Sequence, residues 1–478
     1  MRKSNSLINN LDWPLFLGFL TLIIFGLVTI YSVAFNEDHP SLFSFSEKYG
    51  KQVMWICIAL FLGIMVFLID SDIYKKFALA IYLGTISLLV VVLFMPPING
   101  ARAWLGIGSM GVQPAEFAKI STALLLSKYV SSLNMKQLSS KNIFIALLIL
   151  LIPMVLILLQ PDAGTFVVFT AFFFVLYREG LTFDPFLLNF VNLIPKVRFK
   201  QTWLGTHFIP ILFVFVFLSI VTLLFGEKNI PLIPGVKLYG SVGIITSLFI
   251  IASISSFFVQ RFGMRRARSK AQLIIILCFI LGSTISLTVE KSFGSLAQHQ
   301  KDRIELFLGL KEDPNGKDYN RYRAMAAVGS GGLVGKGYKN ASVSSVKTNH
   351  VPESETDFIF CPFAEEWGFI GSILLVCLYM FIIIRVFIVA ERQRSQFNRI
   401  YAYSVGMFFF YHFAVNIGMN IGFAPVIGIP LPFFSYGGSS MLSFSIMVFI
   451  LLKLDSQRRH VPVSYTHLDA ADEEDSVD

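Results

Sequence analysis

Long apolar runs, each closed by a short polar segment, set the rhythm of this chain. A helix needs about 20 apolar residues to cross a hydrocarbon core. Twelve stretches meet or approach that length: 15–35, 52–69, 77–95, 114–131, 143–159, 164–177, 208–225, 238–259, 272–289, 363–389, 401–424 and 431–453. Within them Leu, Ile, Val and Phe follow one another without the alternation that a membrane barrel strand requires. The pattern predicts an all-α polytopic integral membrane protein of about twelve transmembrane helices in one domain, 1–462. Two segments break the rhythm. In 203–260, two apolar runs flank Gly226-Glu-Lys-Asn-Ile-Pro-Leu-Ile-Pro, a hairpin that could be removed without changing the sidedness of anything after it. Between the ninth and tenth runs lies a large polar loop, 290–362.

Composition and charge fix the class and the orientation. Hydrophobic residues make up 55% of the chain and charged ones only 14%, a balance foreign to a soluble domain. With the N-terminus inside, the cytoplasmic segments hold 23 Lys and Arg, and the five short loops on the other side hold 5. Basic residues stay on the cytoplasmic side, so both termini are expected there and the large loop outside. The net charge of +9 then reads as topology and affinity for anionic lipid, with no role for nucleic acid. Cys57, Cys278, Cys361 and Cys377 lack metal-like spacing and predict no disulfide framework. No cleavable signal peptide is evident at the N-terminus. The end of the chain, 463–478, turns abruptly acidic and resembles a translated library adapter, so it is read as non-native; a disordered acidic tail is the alternative.

Chemistry concentrates where apolar runs meet water. Val351 to Gly368 carries Glu353, Glu355, Asp357, Glu365 and Glu366, and carboxylates at a membrane boundary are costly unless hydrated, paired or used. Pro114 opens a run in which Glu116 and Lys119 share a helix face; an ion pair there faces protein or water, and a purely structural anchor is an equal reading. Asp162 is placed to cap the following helix. The stretch Ala327 to Gly337 is rich in glycine but lacks phosphate-loop spacing; its backbone N–H groups and Lys336 could hold a pyrophosphate or a carboxylate, or form a flexible loop. From Asn416 to Ser440, prolines and glycines break the helices at membrane depth, which is tolerated only against protein or a wet cavity.

Six of these segments, in order, resemble the signatures of the SEDS family: Gly100-Ala-Arg-Ala-Trp, Gln113-Pro-Ala-Glu-Phe-Ala-Lys, Gln160-Pro-Asp-Ala-Gly-Thr, Gly329-Ser-Gly-Gly-Leu-Val-Gly-Lys-Gly, Pro352-Glu-Ser-Glu-Thr-Asp-Phe-Ile-Phe and Pro430-Leu-Pro-Phe-Phe-Ser-Tyr-Gly-Gly-Ser-Ser. The resemblance implies a ten-helix core plus the inserted hairpin. It also implies a bacterial glycosyltransferase that polymerises lipid II into peptidoglycan strands, closer to the elongation branch than to the division branch. It makes Asp357 the general base or a metal-supporting carboxylate. Lys119 and Arg102 are implied at the pyrophosphate or in holding the loop, with Glu116 orienting Lys119. Trp104, Lys336, Ser330, Glu353 and Ser439 become candidates for substrate binding, and Glu366 for a structural part. A divalent cation, Mg or Mn, is implied and no organic cofactor; spacing alone reveals no ligand set. The implied partners are a class B penicillin-binding protein and other membrane proteins of the elongation complex, in the bacterial cytoplasmic membrane. Glu355 stands where many members have His, and Ala103 where many have Arg. A lipid II flippase and a non-catalytic scaffold are the rival functions. A flippase gathers its charges near mid-membrane, whereas these acids crowd the outer boundary.

Overall fold

In the computed structural model the described residues are 10–39, 41–97, 102–106, 111–133, 138–191, 202–225, 240–262, 265–295, 301, 319–344 and 351–458. The turn expected at Gly226–Pro234, the tail 463–478 and the loop residues 296–300, 302–318 and 345–350 lie outside them. All twelve apolar runs fall on helices. They are α1 Trp13–Val33, α2 Lys48–Leu68, α3 Ser71–Val92, α4 Pro114–Ser131, α5 Ser140–Leu159, the pair α6 Ala163–Phe169 and α7 Ala171–Arg178, then, after the short α8 Asp184–Val191 and α9 Trp203–Thr206, α10 Phe208–Phe225, α11 Gly240–Phe262 and α12 Arg265–Ser295. After the loop helix α13 Tyr319–Ser330 come α14 Phe360–Glu391, α15 Gln396–Asn420 and α16 Gly438–Ser456. Among the described residues nine helices are long and apolar enough to cross a membrane, and two more apolar stretches, Ala163–Arg178 and Phe208–Ser219, are shorter. Regular structure there is helical throughout, apart from one antiparallel bridge between Leu105 and Val112. The four cysteines are free.

The helices sort by burial. α4 is covered on nearly all sides, wedged between α3, α5, α15 and α16, and 83% of the apolar window of α16 is buried. In α11 and α12 the figures are 6% and 11%, so these two sit at the periphery, packed chiefly on each other and on α10. A helix buried all round lies at a bundle centre. α4 is therefore the axis against which the polar groups of the interior are arranged.

One end of the bundle is tied by charge. Asp12 caps α1 through Leu15 N–H and accepts from Arg385 Nη2 at 2.9 Å and Arg392 Nη2 at 2.6 Å. Arg392 also pairs with Asp455, which Arg458 holds at 2.9 Å. Burial raises the Asp12 carboxyl, but the hydrogen bonds from Arg385 and Leu15 and the charges of both arginines outweigh it and hold the group below its ordinary value. The start of the first helix and the end of the last thus lie on one face.

Candidate active site

The acidic loop 351–359 is gripped through its backbone. Tyr436 N–H donates to Glu355 O at 2.9 Å, Ser435 Oγ to Thr356 O at 2.7 Å, and Asn416 Nδ2 to Asp357 O at 2.8 Å. Three consecutive carbonyls are therefore fixed by the irregular segment 421–437 and by α15. Asn420 Nδ2 adds a longer bond of 3.3 Å to Asp357 O. The half-buried Asp357 places its carboxylate beside Gly428, where a Cβ would stand 3.3 Å from Oδ2. Gly428 has φ +69°, a conformation that disfavours side chains. The broken helix between α15 and α16 thus meets protein, and its backbone is used to hold the loop. The helix after the loop is capped by Ile359, without a side-chain bond. Glu355 is buried and ion-paired with Lys48 at the start of α2. Glu353 is exposed with φ +56°; its carbonyl accepts from Thr356 and Phe358 N–H.

The glycine-rich stretch has a different place from a flexible loop or a pyrophosphate cradle. α14 breaks at Gly368 (φ +65°, ψ −164°), and the stretch is hydrogen-bonded into the gap. Lys336 and Gly337 N–H donate to Glu365 O and Glu366 O at 3.0 Å each, while Phe369 and Ile370 N–H donate to Gly332 O and Leu333 O at 2.9 and 3.2 Å. The carboxylate that it holds is the chain's own. Glu365 accepts from Lys336 Nζ at 2.6 Å and from the N–H groups of Ser342, Val343 and Ser344. Lys336 Nζ also donates to Ser330 Oγ and Ser342 Oγ, which commits Lys336 and Ser330 to this contact. Glu366, buried, accepts from Ser32 Oγ and Lys339 N–H, the structural part expected of it.

Glu116 and Lys119 pair at 2.9 Å inside the bundle, their side chains 4% and 0% exposed. Lys119 Nζ lies 3.0 Å from His412 Nε2 and over the Phe444 ring. Ser443 Oγ donates to Glu116 Oε2 at 2.8 Å. With Nε2 facing an ammonium, His412 carries its hydrogen on Nδ1, which donates to Pro430 O at 3.0 Å. Lys119 is oriented by Glu116, as expected, but it is enclosed by protein and reaches the 421–437 segment through His412.

Arg102 and Trp104 lie ahead of α4. Exposed Arg102 donates to Leu93 O at 3.1 Å. Trp104, 38% exposed, covers Gly111, where a Cβ would stand 3.2 Å from the indole. Ser439 is buried and accepts from Gln113 N–H at 3.0 Å, so it fastens this segment to α16. Asp162 caps α6 through Thr165 N–H at 2.9 Å and accepts from Gln113 Nε2 at 2.8 Å. Burial pushes its carboxyl up, the Thr165 bonds pull it back, and the Glu116 charge adds to the rise. His412, Asn416, Asn420 and Ser443 were not singled out from the sequence. The first three recur every fourth residue, a spacing that puts them on one helix face.

Comparisons with known proteins agree with this architecture. A family model described as the FtsW/RodA/SpoVE cell cycle protein matches residues 13–207 and 236–460. Peptidoglycan glycosyltransferase RodA of Treponema pallidum is 30% identical over 465 residues, covering 94% of this chain and 99% of that protein. Peptidoglycan glycosyltransferase MrdB of Escherichia coli is 27% identical over 452 residues, 94% and 95% of the two chains. Among solved structures, a chain from a peptidoglycan synthase complex that coordinates polymerization and crosslinking superposes with a TM-score of 0.61, at 21% identity over 94% of this chain and 99% of that one. The rod shape determining protein RodA of Thermus thermophilus gives 0.54 at 20% identity over 94% and 98%. The chain belongs to the FtsW/RodA/SpoVE family, the SEDS family that its motifs resemble.

Proposed function

We propose that this protein is a peptidoglycan glycosyltransferase that polymerises lipid II into glycan strands and releases the lipid pyrophosphate. Relatives that align with nearly its whole length carry that activity in their names. The observation that carries the mechanism is the three-carbonyl grip on Glu355, Thr356 and Asp357. It fixes the backbone that carries the Asp357 carboxylate.

The transfer joins a sugar 4-hydroxyl to the anomeric carbon of a second sugar. Asp357 takes the hydroxyl proton as the oxygen attacks, a role worth roughly 10²–10⁴-fold in rate. Direct displacement inverts the anomeric centre without a covalent intermediate. Arg102, exposed on the segment ahead of α4, meets the departing pyrophosphate. Lys119 acts at a distance, through His412 and Pro430. Trp104 offers an exposed ring face to a sugar or lipid. Among the described residues no three His, Cys, Asp or Glu side chains gather to hold a metal. A hard divalent cation binds with one or two carboxylates and substrate phosphate oxygens, and Asp357 fits that minimal set. Such an ion would supply charge neutralisation for the leaving pyrophosphate.

The 23-to-5 asymmetry of basic residues supports the bacterial cytoplasmic membrane with both termini inside. The likeness to a chain from a synthase complex supports a class B penicillin-binding protein as partner, with other elongation-complex membrane proteins around it. The test is glycan polymerisation from purified lipid II with Mg or Mn, the partner transpeptidase present with its own active site blocked. Wild type makes polymer and well-folded Asp357→Asn makes none. Equal polymer from both removes Asp357 from the mechanism, and none from either in a stable complex favours a flippase or scaffold.

A further inference from the structure

Asn416 is an expensive residue to place where it stands. It is fully buried in α15, and a buried carboxamide is costly unless every polar atom is met. Both of its N–H hydrogens leave its own helix: one goes to Asp357 O at 2.8 Å, the other to Ile429 O at 2.7 Å. Its Oδ1 accepts from Asn420 Nδ2 at 3.3 Å, and its backbone carbonyl from the same group at 2.8 Å. One turn away, His412 donates to Pro430 O. The adjacent carbonyls of Ile429 and Pro430 are thus fixed by two side chains of one helix face, and the first of those side chains also holds Asp357. Gly428, which faces the Asp357 carboxylate, directly precedes this pinned pair.

We propose that Asn416 is a positioning residue for glycan transfer: its carboxamide bridges the acidic loop to the proline-rich segment and sets where the Asp357 carboxylate stands. This rests on Asp357 being the reacting carboxylate. A bridge made by two hydrogens of one rigid planar group fixes a separation, whereas two independent donors would fix only two positions. Without it, the tip of the acidic loop keeps its bonds from Ser435 and Tyr436, so the loop stays attached but Asp357 O loses its shorter bond and keeps only the 3.3 Å one from Asn420. A displacement of about 1 Å at a reacting group costs on the order of 10²-fold in rate.

The experiment uses the full chain with its blocked transpeptidase partner and purified lipid II, scoring kcat and KM per monodisperse protein. Asn416→Ala is expected to lower kcat about 10²-fold with KM within about twofold. Added to Asp357→Asn it should cause no further loss. A merely structural role would instead lower yield and Tm while leaving kcat per folded molecule unchanged. Folded Asn416→Ala with wild-type kcat, beside an inactive Asp357→Asn, overturns the proposal alone. An active Asp357→Asn overturns the reading beneath it. If Asn416→Ala yields no monodisperse protein, Asn416→Gln, with its donors on a longer stem, is scored in the same way: lower kcat at constant KM sustains the bridge and wild-type kcat overturns it.

Discussion

A single methyl group at Gly428 probes the Asp357 carboxylate more selectively than removal of the carboxylate itself. At this position the only heavy atom among the described residues within 4 Å of an added Cβ, outside the chain neighbours, is Asp357 Oδ2, at 3.3 Å. That separation is tighter than ordinary contact, so the carboxylate must give by a few tenths of an ångström. If a 1 Å misplacement costs about 10²-fold, then a shift of ~0.3–0.5 Å costs roughly four- to tenfold, or about 1 kcal/mol of transition-state stabilisation. The backbone adds its own cost: an L-residue at φ +69° is strained by roughly 1–2 kcal/mol, a modest loss of stability. Gly84 is the control, because a Cβ there meets nothing among the described residues within 4 Å, and Ala in mid-helix stabilises by roughly 0.5–1 kcal/mol. Initial rates of lipid II polymerisation, paired with thermal unfolding in detergent, separate the two effects. Gly428→Ala should lose rate out of proportion to its small loss of Tm, while Gly84→Ala keeps its rate. A Gly428→Ala protein as fast as wild type, beside an inactive Asp357→Asn, would show that the carboxylate does not need this position and would refute the reasoning.

Other perturbations have distinct signatures. Gly368→Ala would set a Cβ within 2.7 Å of Leu333 O at φ +65° and ψ −164°, a region almost confined to glycine; size-exclusion traces should show loss of folded protein rather than a slow enzyme. Lys119→Met strands a buried carboxylate and should cost about 3–5 kcal/mol, whereas Glu116→Gln with Lys119→Met should recover most of it; thermal unfolding of the three variants checks the order. Because the Asp12 carboxyl lies below its ordinary value of 3.8 when folded, its stabilisation is complete above that pH and disappears as pH falls through the lower folded value. Asp12→Asn should therefore be less stable than wild type at neutral pH and lose less on acidification, as melts between pH 7 and 3 would show.

Where an element is decided by its own residues, the sequence was enough. The run expected at 114–131 is the helix Pro114–Ser131, and 208–225 is Phe208–Phe225, because Pro at the first turn and unbroken apolar length are local signals. The run expected at 272–289 extends to Arg265–Ser295, since charged residues end an apolar window without ending a helix. Asp162 as a cap and Glu116 beside Lys119 were legible for the same local reason. Contacts between distant segments were not. Lys336 and Glu365 lie 29 positions apart, and the glycine-rich stretch reads equally as a flexible loop or as a holder of pyrophosphate or carboxylate. Ser439, a candidate for substrate, fastens the Gln113 hairpin across 326 positions. His412, Asn416 and Asn420 share a visible spacing, yet only their partners at Pro430, Ile429 and Asp357 give it meaning.

The charge cluster that joins the first helix to the end of α14 also sets a timetable. Asp12 and Arg385 are 373 positions apart. At ribosomal rates of about 5–20 residues per second, α1 waits roughly 20–75 seconds for its arginine partners to be made. Through that interval the Asp12 carboxylate must remain hydrated, which keeps its end of α1 at the membrane surface and stops the helix from slipping inward. The same residue that later locks the bundle therefore serves beforehand as a float. A chain cut short before Arg385 never exchanges that water for arginine, and its seam stays open.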